Sequence, residues 1–155
     1  MSRFTALAPA DLPVVVLTRV FDAPRNLVWK AINDPAMVPM WWGPRNSTAK
    51  IHALDVSVGG EWKFENISAD GQSFMFHGKT VWLQEGERIA QTFHFMDFPP
   101  NLDVLVLEDL PNGGTRLTST THCQNHQSRE GMMNSGMPGG ASESYDRLEE
   151  LLAKG

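Results

Sequence analysis

The feature that constrains this chain most is a change of period. From about Thr48 to Cys123, apolar and polar residues alternate in short runs, and turn signals interrupt them: Gly59-Gly60, Asp70-Gly71, Glu85-Gly86 and Asn112-Gly113-Gly114. Beyond Cys123 the spacing becomes three and four, with Met133, Met137, Ala141, Tyr145, Leu148 and Leu152 on one helical stripe. Hairpin strands of this kind have one apolar face, and so does the helix that follows. Each must bury its apolar face against something, and the other is available. Strands in a run with helices kept to one side make an α+β domain.

Within the alternating stretch, Trp62 and Phe64 point one way and Glu61, Lys63 and Glu65 the other. Phe74, Phe76, Gly78, Thr80 and Trp82 share a face of the next predicted strand. Phe93 and Phe95 share a face of the one after, and Pro99-Pro100 ends it. Leu102 to Leu107 and Thr115 to Cys123 complete the run. Ahead of it, Val14 to Phe21 is rich in β-branched residues and predicts a first strand. Asp22, placed before Ala23-Pro24, predicts a capped helix start, with Leu27, Val28, Ala31 and Ile32 on the buried face. Asp34-Pro35 stops that helix and starts a second short one. Residues 1–13 read as a loose arm, and residues 14–155 as one domain with no internal repeat or linker. The expected architecture is a curved antiparallel sheet of six to seven strands around a long C-terminal helix, with one or two short helices after strand one. Glu143 and Arg147, four apart on that helix, are placed to pair.

Composition removes several functions. Lys plus Arg is 13 against 18 for Asp plus Glu, giving a formal charge of −5 with no basic run, so no nucleic-acid partner is expected. One cysteine excludes an intrachain disulfide. The longest clean aliphatic run, Val14 to Leu17, is far short of a membrane span, and no signal-peptide block is evident. A protein of the cytosol that keeps off membranes is expected. Gly78-Lys79-Thr80 resembles the end of a phosphate loop, but Ser73 stands where the loop needs glycine. Neither a nucleophile elbow nor a dinucleotide fingerprint is present, and no cofactor is expected.

Four motifs in order carry a family resemblance. They are Arg19-Val20-Phe21-Asp22-Ala23-Pro24-Arg25 with Val28-Trp29; Trp41-Trp42-Gly43-Pro44; Val58-Gly59-Gly60-Glu61-Trp62-Lys63-Phe64 with Gly71 and Gly78; and Gly113-Gly114-Thr115-Arg116-Leu117-Thr118 with Ser135-Gly136-Met137 and Ser144-Tyr145-Asp146-Arg147-Leu148. The set spans roughly Val14 to Leu152 and resembles the START-like helix-grip (SRPBCC) superfamily, in the branch named for the activator of Hsp90 ATPase. The resemblance implies the helix-grip fold and a deep apolar cavity between sheet and long helix. It implies no common reaction. One departure is Pro138, inside the last helical stripe with Gly136, Gly139 and Gly140 around it. A kink or break near residues 134–137 is expected.

Large side chains dominate the candidate site. Trp41, Trp42, Trp62, Phe64, Phe76, Trp82 and Phe93 from the strand region, with Met133, Met137 and Tyr145 from the helix, are the expected ligand-binding residues. Half of the aromatics would be needed simply to fill a core. His94 and His122 are the candidates for acid–base chemistry, since either could face the cavity, where a histidine can serve as general acid or base. A one-residue slip in register would turn them outward. His122-Cys123-x-x-His126 has metal-like spacing but no fourth ligand close in sequence, and no metal is expected. The chain therefore reads first as a binder of a hydrophobic or aromatic small molecule. The alternatives are a cyclase-like or hydrolytic enzyme on the same fold, and a chaperone-interacting module. Trp41-Trp42 also offers a surface through which a homodimer could form.

Overall fold

The computed structural model describes residues 3–154. Eight strands form one open antiparallel sheet: β1 (Phe4–Leu7), β2 (Val14–Phe21), β3 (Thr48–Leu54), β4 (Glu61–Ile67), β5 (Ser73–Gln84), β6 (Arg88–Phe95), β7 (Asn101–Asp109) and β8 (Thr115–His122). Their order across the sheet is β1-β2-β8-β7-β6-β5-β4-β3. Helix α1 (Arg25–Asn33) and a 3-10 turn (Val38–Met40) lie between β2 and β3, and α2 (His126–Asn134) and α3 (Met137–Ala153) follow β8. The helix-grip architecture is as expected, with one strand more than the upper count.

The extra strand comes from the stretch read as a loose arm. Phe4 pairs with Arg19 and Leu7 with Val16, so residues 4–7 extend the sheet at its β2 edge. Arg3 fastens them: its Nη2 donates to Val20 O at 2.9 Å and reaches Glu149 of α3 at 2.7 Å. Met1 and Ser2 of that arm, and Gly155, lie outside the described residues. Asp22 does not cap α1. Pro24 holds the N-cap position with no side-chain bond, and the Asp22 carboxylate accepts from Arg3 at 3.1 Å instead.

The break near residues 134–137 is present. Gly136 adopts φ +86°, a left-handed conformation that favours glycine, and separates α2 from α3. Pro138 falls in the first turn of α3, where a missing N–H costs nothing, so it begins a helix rather than bending one. The Asn125 side chain caps α2 by accepting from Ser128 N at 2.8 Å.

The core beneath α3 contains Phe21, Val28, Ala31, Trp41, Leu107, Leu117 and Leu148. Polar contacts fix the helix in place. Buried Arg19 pairs with Asp146, Ser144 Oγ accepts from Gly43 N at 2.9 Å, and Arg147 Nη1 donates to Gly43 O at 2.9 Å. Arg147 also reaches the carbonyls of Met40 and Pro44, both at 3.2 Å. The expected Glu143–Arg147 pair does not form: Arg147 is occupied by these carbonyls, and Glu143 accepts from Arg45 N. An arginine that saturates a loop's carbonyls outcompetes an exposed helical ion pair worth a few tenths of a kcal/mol.

Candidate functional site

Strand register decides which side chains share the inner face. Phe21, Leu107 and Leu117 pack on Leu148 of α3, so their side of the sheet is the inner one. Directly paired residues share a face. Following the pairs across the sheet places Trp62, Phe64, Phe76, Phe93 and Phe95 inside as well. They form a connected aromatic group. Trp42, from the loop after the 3-10 turn, meets Phe64 and Phe76 edge-on at 5.3 and 5.0 Å, and Phe76 stacks on Phe95 at 4.6 Å. Gly78 makes this layout possible. The Trp62 indole crosses it to donate to Thr92 O at 3.1 Å, and a Cβ at residue 78 would sit 1.8 Å from that same carbonyl oxygen.

The helices cover this face unevenly. Helices α2 and α3 pack over β2, α1 leans on β7, and the 3-10 turn sits on β3. None packs broadly on β4 to β6. Trp42, Phe74, Phe76, Phe93 and Phe95 remain half-buried although they face inward.

Next to these aromatics runs a polar row. Thr80 on β5, Gln91 on β6, Asp103 on β7 and Thr121 on β8 are successive direct partners across four strands. Asp103 is in phase with Leu105 and Leu107, so its carboxyl belongs to the inner face. Its Oδ1 is sealed from solvent and no described group donates to it. Burial raises its pKa to about 6, against the Thr121 hydroxyl, which favours the charged form. The Tyr145 phenol of α3 and the Cys123 thiol are both pushed up, first by burial and then by the Asp103 charge. Three titratable groups thus share one poorly hydrated region.

The predicted ligand-binding residues fall in four places. Trp42, Trp62, Phe64, Phe76 and Phe93 come together as described. Met133 and Met137 pack beside Val15, Leu17 and Cys123, and Tyr145 touches Phe21 and Phe4 at ring distances of 6.1 and 6.2 Å. Trp41 is a core residue, 6% exposed, whose indole donates to Ala31 O at 2.9 Å. Trp82 lies on the outer face, 45% exposed. A bulge between Thr80 and Trp82 pairs them with Gln91 and Ala90, neighbours on opposite faces, so alternation that places Thr80 inside places Trp82 outside.

His94 and His122 also face outward. His94 is paired with His77 and stacks on it at 4.9 Å, opposite to Phe76 and Phe95 in phase. His122 follows inward Thr121 and is exposed. Buried Cys123 is not joined to His122 and His126 in any metal-ligating group, and no cluster of three such residues occurs among the described residues. Arg116 and Glu108 pair with each other at 3.3 Å on the outer face. Gln91, Asp103 and Thr121 were not anticipated as site residues. The sign was available in Asp103, a lone acid in phase with Leu105 and Leu107 of a predicted strand.

Two hollows stand out on the surface, and neither is lined by the aromatic group of β4 to β6. One, about 620 Å³, is on the outer face and is lined by His77, Lys79, Val81 and His94. The other, about 350 Å³, lies between Arg19 and the end of α3 near Leu152. The inner face therefore offers an open aromatic surface beside a polar row.

Residues 22–153 match the family model described as activator of Hsp90 ATPase homolog 1-like protein. The chain belongs to this family. No curated protein matches this AHSA1-like chain. Solved structures share its fold. Protein Ms6760 from Mycobacterium smegmatis is similar at 22% identity with a TM-score of 0.89, covering 96% of each chain. A protein from Arthrobacter aurescens has 20% identity and a TM-score of 0.89, covering 99% of this chain and 94% of its own. One from Chromobacterium violaceum has 26% identity and a TM-score of 0.75, covering 90% and 96%. The fold commonly holds ligands. Among the described residues of the AHSA1-like chain, no helix is long and apolar enough to cross a membrane.

Proposed function

We propose that this AHSA1-like protein binds a small hydrophobic or aromatic molecule on the inner face of its sheet. The observation that carries the reading is the half-buried aromatic group Trp42, Phe76, Phe93 and Phe95, which faces inward yet has no α-helix packed broadly over it. Apolar area of that kind gains roughly 25 cal/mol for each Å² covered, before the costs of association. Ring edges and faces presented at several angles suit a flat aromatic guest. His94 and His122 face away from the aromatic group, so this reading assigns neither of them a role.

The test is thermal unfolding with a panel of neutral aromatic and polycyclic compounds, with tryptophan fluorescence as a second readout. A true ligand at about one hundred times its dissociation constant adds about 2.7 kcal/mol of stability. Trp42→Ala should abolish that gain. Failure of every apolar class to stabilise the protein or to change its fluorescence would overturn the proposal.

A further inference from the structure

The polar row beside the aromatic group is unusual for its setting. Thr80, Gln91, Asp103 and Thr121 lie side by side on the inner face of four neighbouring strands. The carboxyl at its centre has one oxygen that is shut off from solvent and receives no hydrogen bond from a described residue. Leaving such an acceptor unmet is costly, more so for a charged group. Arg129, the cation that acts on the neighbouring Cys123, is already engaged: it donates to Leu12 O at 3.0 Å and pairs with Glu130. The groups that feel the Asp103 charge are Tyr145 of α3 and Cys123, directly after β8, and neither carries positive charge. The Gln91 side chain makes no hydrogen bond among the described residues, so its amide oxygen is a second acceptor. Thr80, buried at 4% exposure, is a third.

Several acceptors grouped around an unmatched carboxylate, with aromatic faces alongside, form a receptor for an ammonium group on an apolar body. The carboxylate supplies a charge-assisted bond, the neighbouring oxygens accept the remaining N–H groups, and aromatic faces attract a cation. We propose that Asp103 is a specificity-determining residue that selects apolar molecules bearing a protonated amine. This rests on the reading that the inner face binds apolar ligands, and it adds the head group. Because the Asp103 pKa is about 6, amine binding should strengthen as pH rises from 5 to 7 and then level off.

The experiment compares three probes with the same body, phenylbutylamine, phenylbutanol and phenylbutyrate, by calorimetry on the full chain. The amine should bind about tenfold or more tightly than the alcohol at pH 7, with the acid weakest. Asp103→Asn should erase the amine's advantage and leave the alcohol's affinity within about twofold. Asp103→Leu serves as the second variant if the first folds poorly, and the wild-type ranking of probes stands without either. An alcohol that binds as tightly as the amine would overturn the selection by Asp103 while keeping the apolar surface. Binding by none of the three would sink both.

Discussion

The inner face has two halves built from the same kind of residue and finished differently. Under α3, Phe21, Leu117 and Leu148 are fully buried, and Leu107 nearly so. Over β4 to β6, Phe76, Phe93 and Phe95 point the same way and stay half-buried. Both halves look equally apolar as strings of letters. What separates them is where α3 lies, and that is fixed by polar contacts: Arg19 to Asp146, Gly43 to Ser144, and Arg147 to the loop carbonyls. One half is therefore committed to stability, and the other is left with surface to use.

The difference is open to direct attack. Leu148→Ala should cost about 3–5 kcal/mol in denaturant unfolding, because it opens a cavity in a fully buried cluster. Phe95→Ala, which removes a larger side chain from the open half, should cost only about 1–2 kcal/mol. Equal losses would mean the open half is packed as tightly as the closed one, and the contrast would fall. Gly78→Ala comes next, at about 3 kcal/mol, since its new methyl meets a backbone carbonyl that cannot move cheaply. It should also shift Trp62 fluorescence, because the indole that crosses residue 78 must leave Thr92 O.

The sequence carried the architecture well. Alternation, turn dipeptides and the helical stripe are local signals, and they placed β2 and β4 to β8 and the α2/α3 break. It failed where structure depends on long-range partners. Phe4 to Leu7 has no strong strand pattern of its own, and becomes a strand because β2 presents an edge and Arg3 ties it to α3. Trp82 failed for another reason: a one-residue bulge reverses the phase midway along β5, and nothing in its composition marks the point. Asp103 was legible in principle.

Asp103 sharpens the contrast further, because it places a cost in the open half. Its pKa is raised from 3.8 to about 6 on folding. Between those values the folded state holds more proton than the unfolded chain, so the carboxyl's contribution to stability is full below pH 3.8, falls as pH rises, and is flat above about 6. Asp103→Asn removes that slope. The variant should match wild type near pH 4 and exceed it by on the order of 2–3 kcal/mol at pH 7, as read by urea unfolding at both values. A variant that is less stable at pH 7 would show the carboxylate to be held by bonds that outweigh its burial.

The smallest effect belongs to Trp82, and it tests the bulge. A tryptophan is the side chain whose loss usually costs most, and one on the inner face would cost several kcal/mol and weaken an apolar guest. The register places it outside, opposite Ala90 and 45% exposed. Trp82→Ala should then lower stability by less than about 1 kcal/mol and leave the fluorescence response of Trp42 to an aromatic ligand unchanged. If instead the substitution both destabilised the protein strongly and abolished binding, β5 would run through residue 81 without the reversal. Leu83 would then exchange faces with Trp82, and the aromatic surface would extend one residue closer to Ile89.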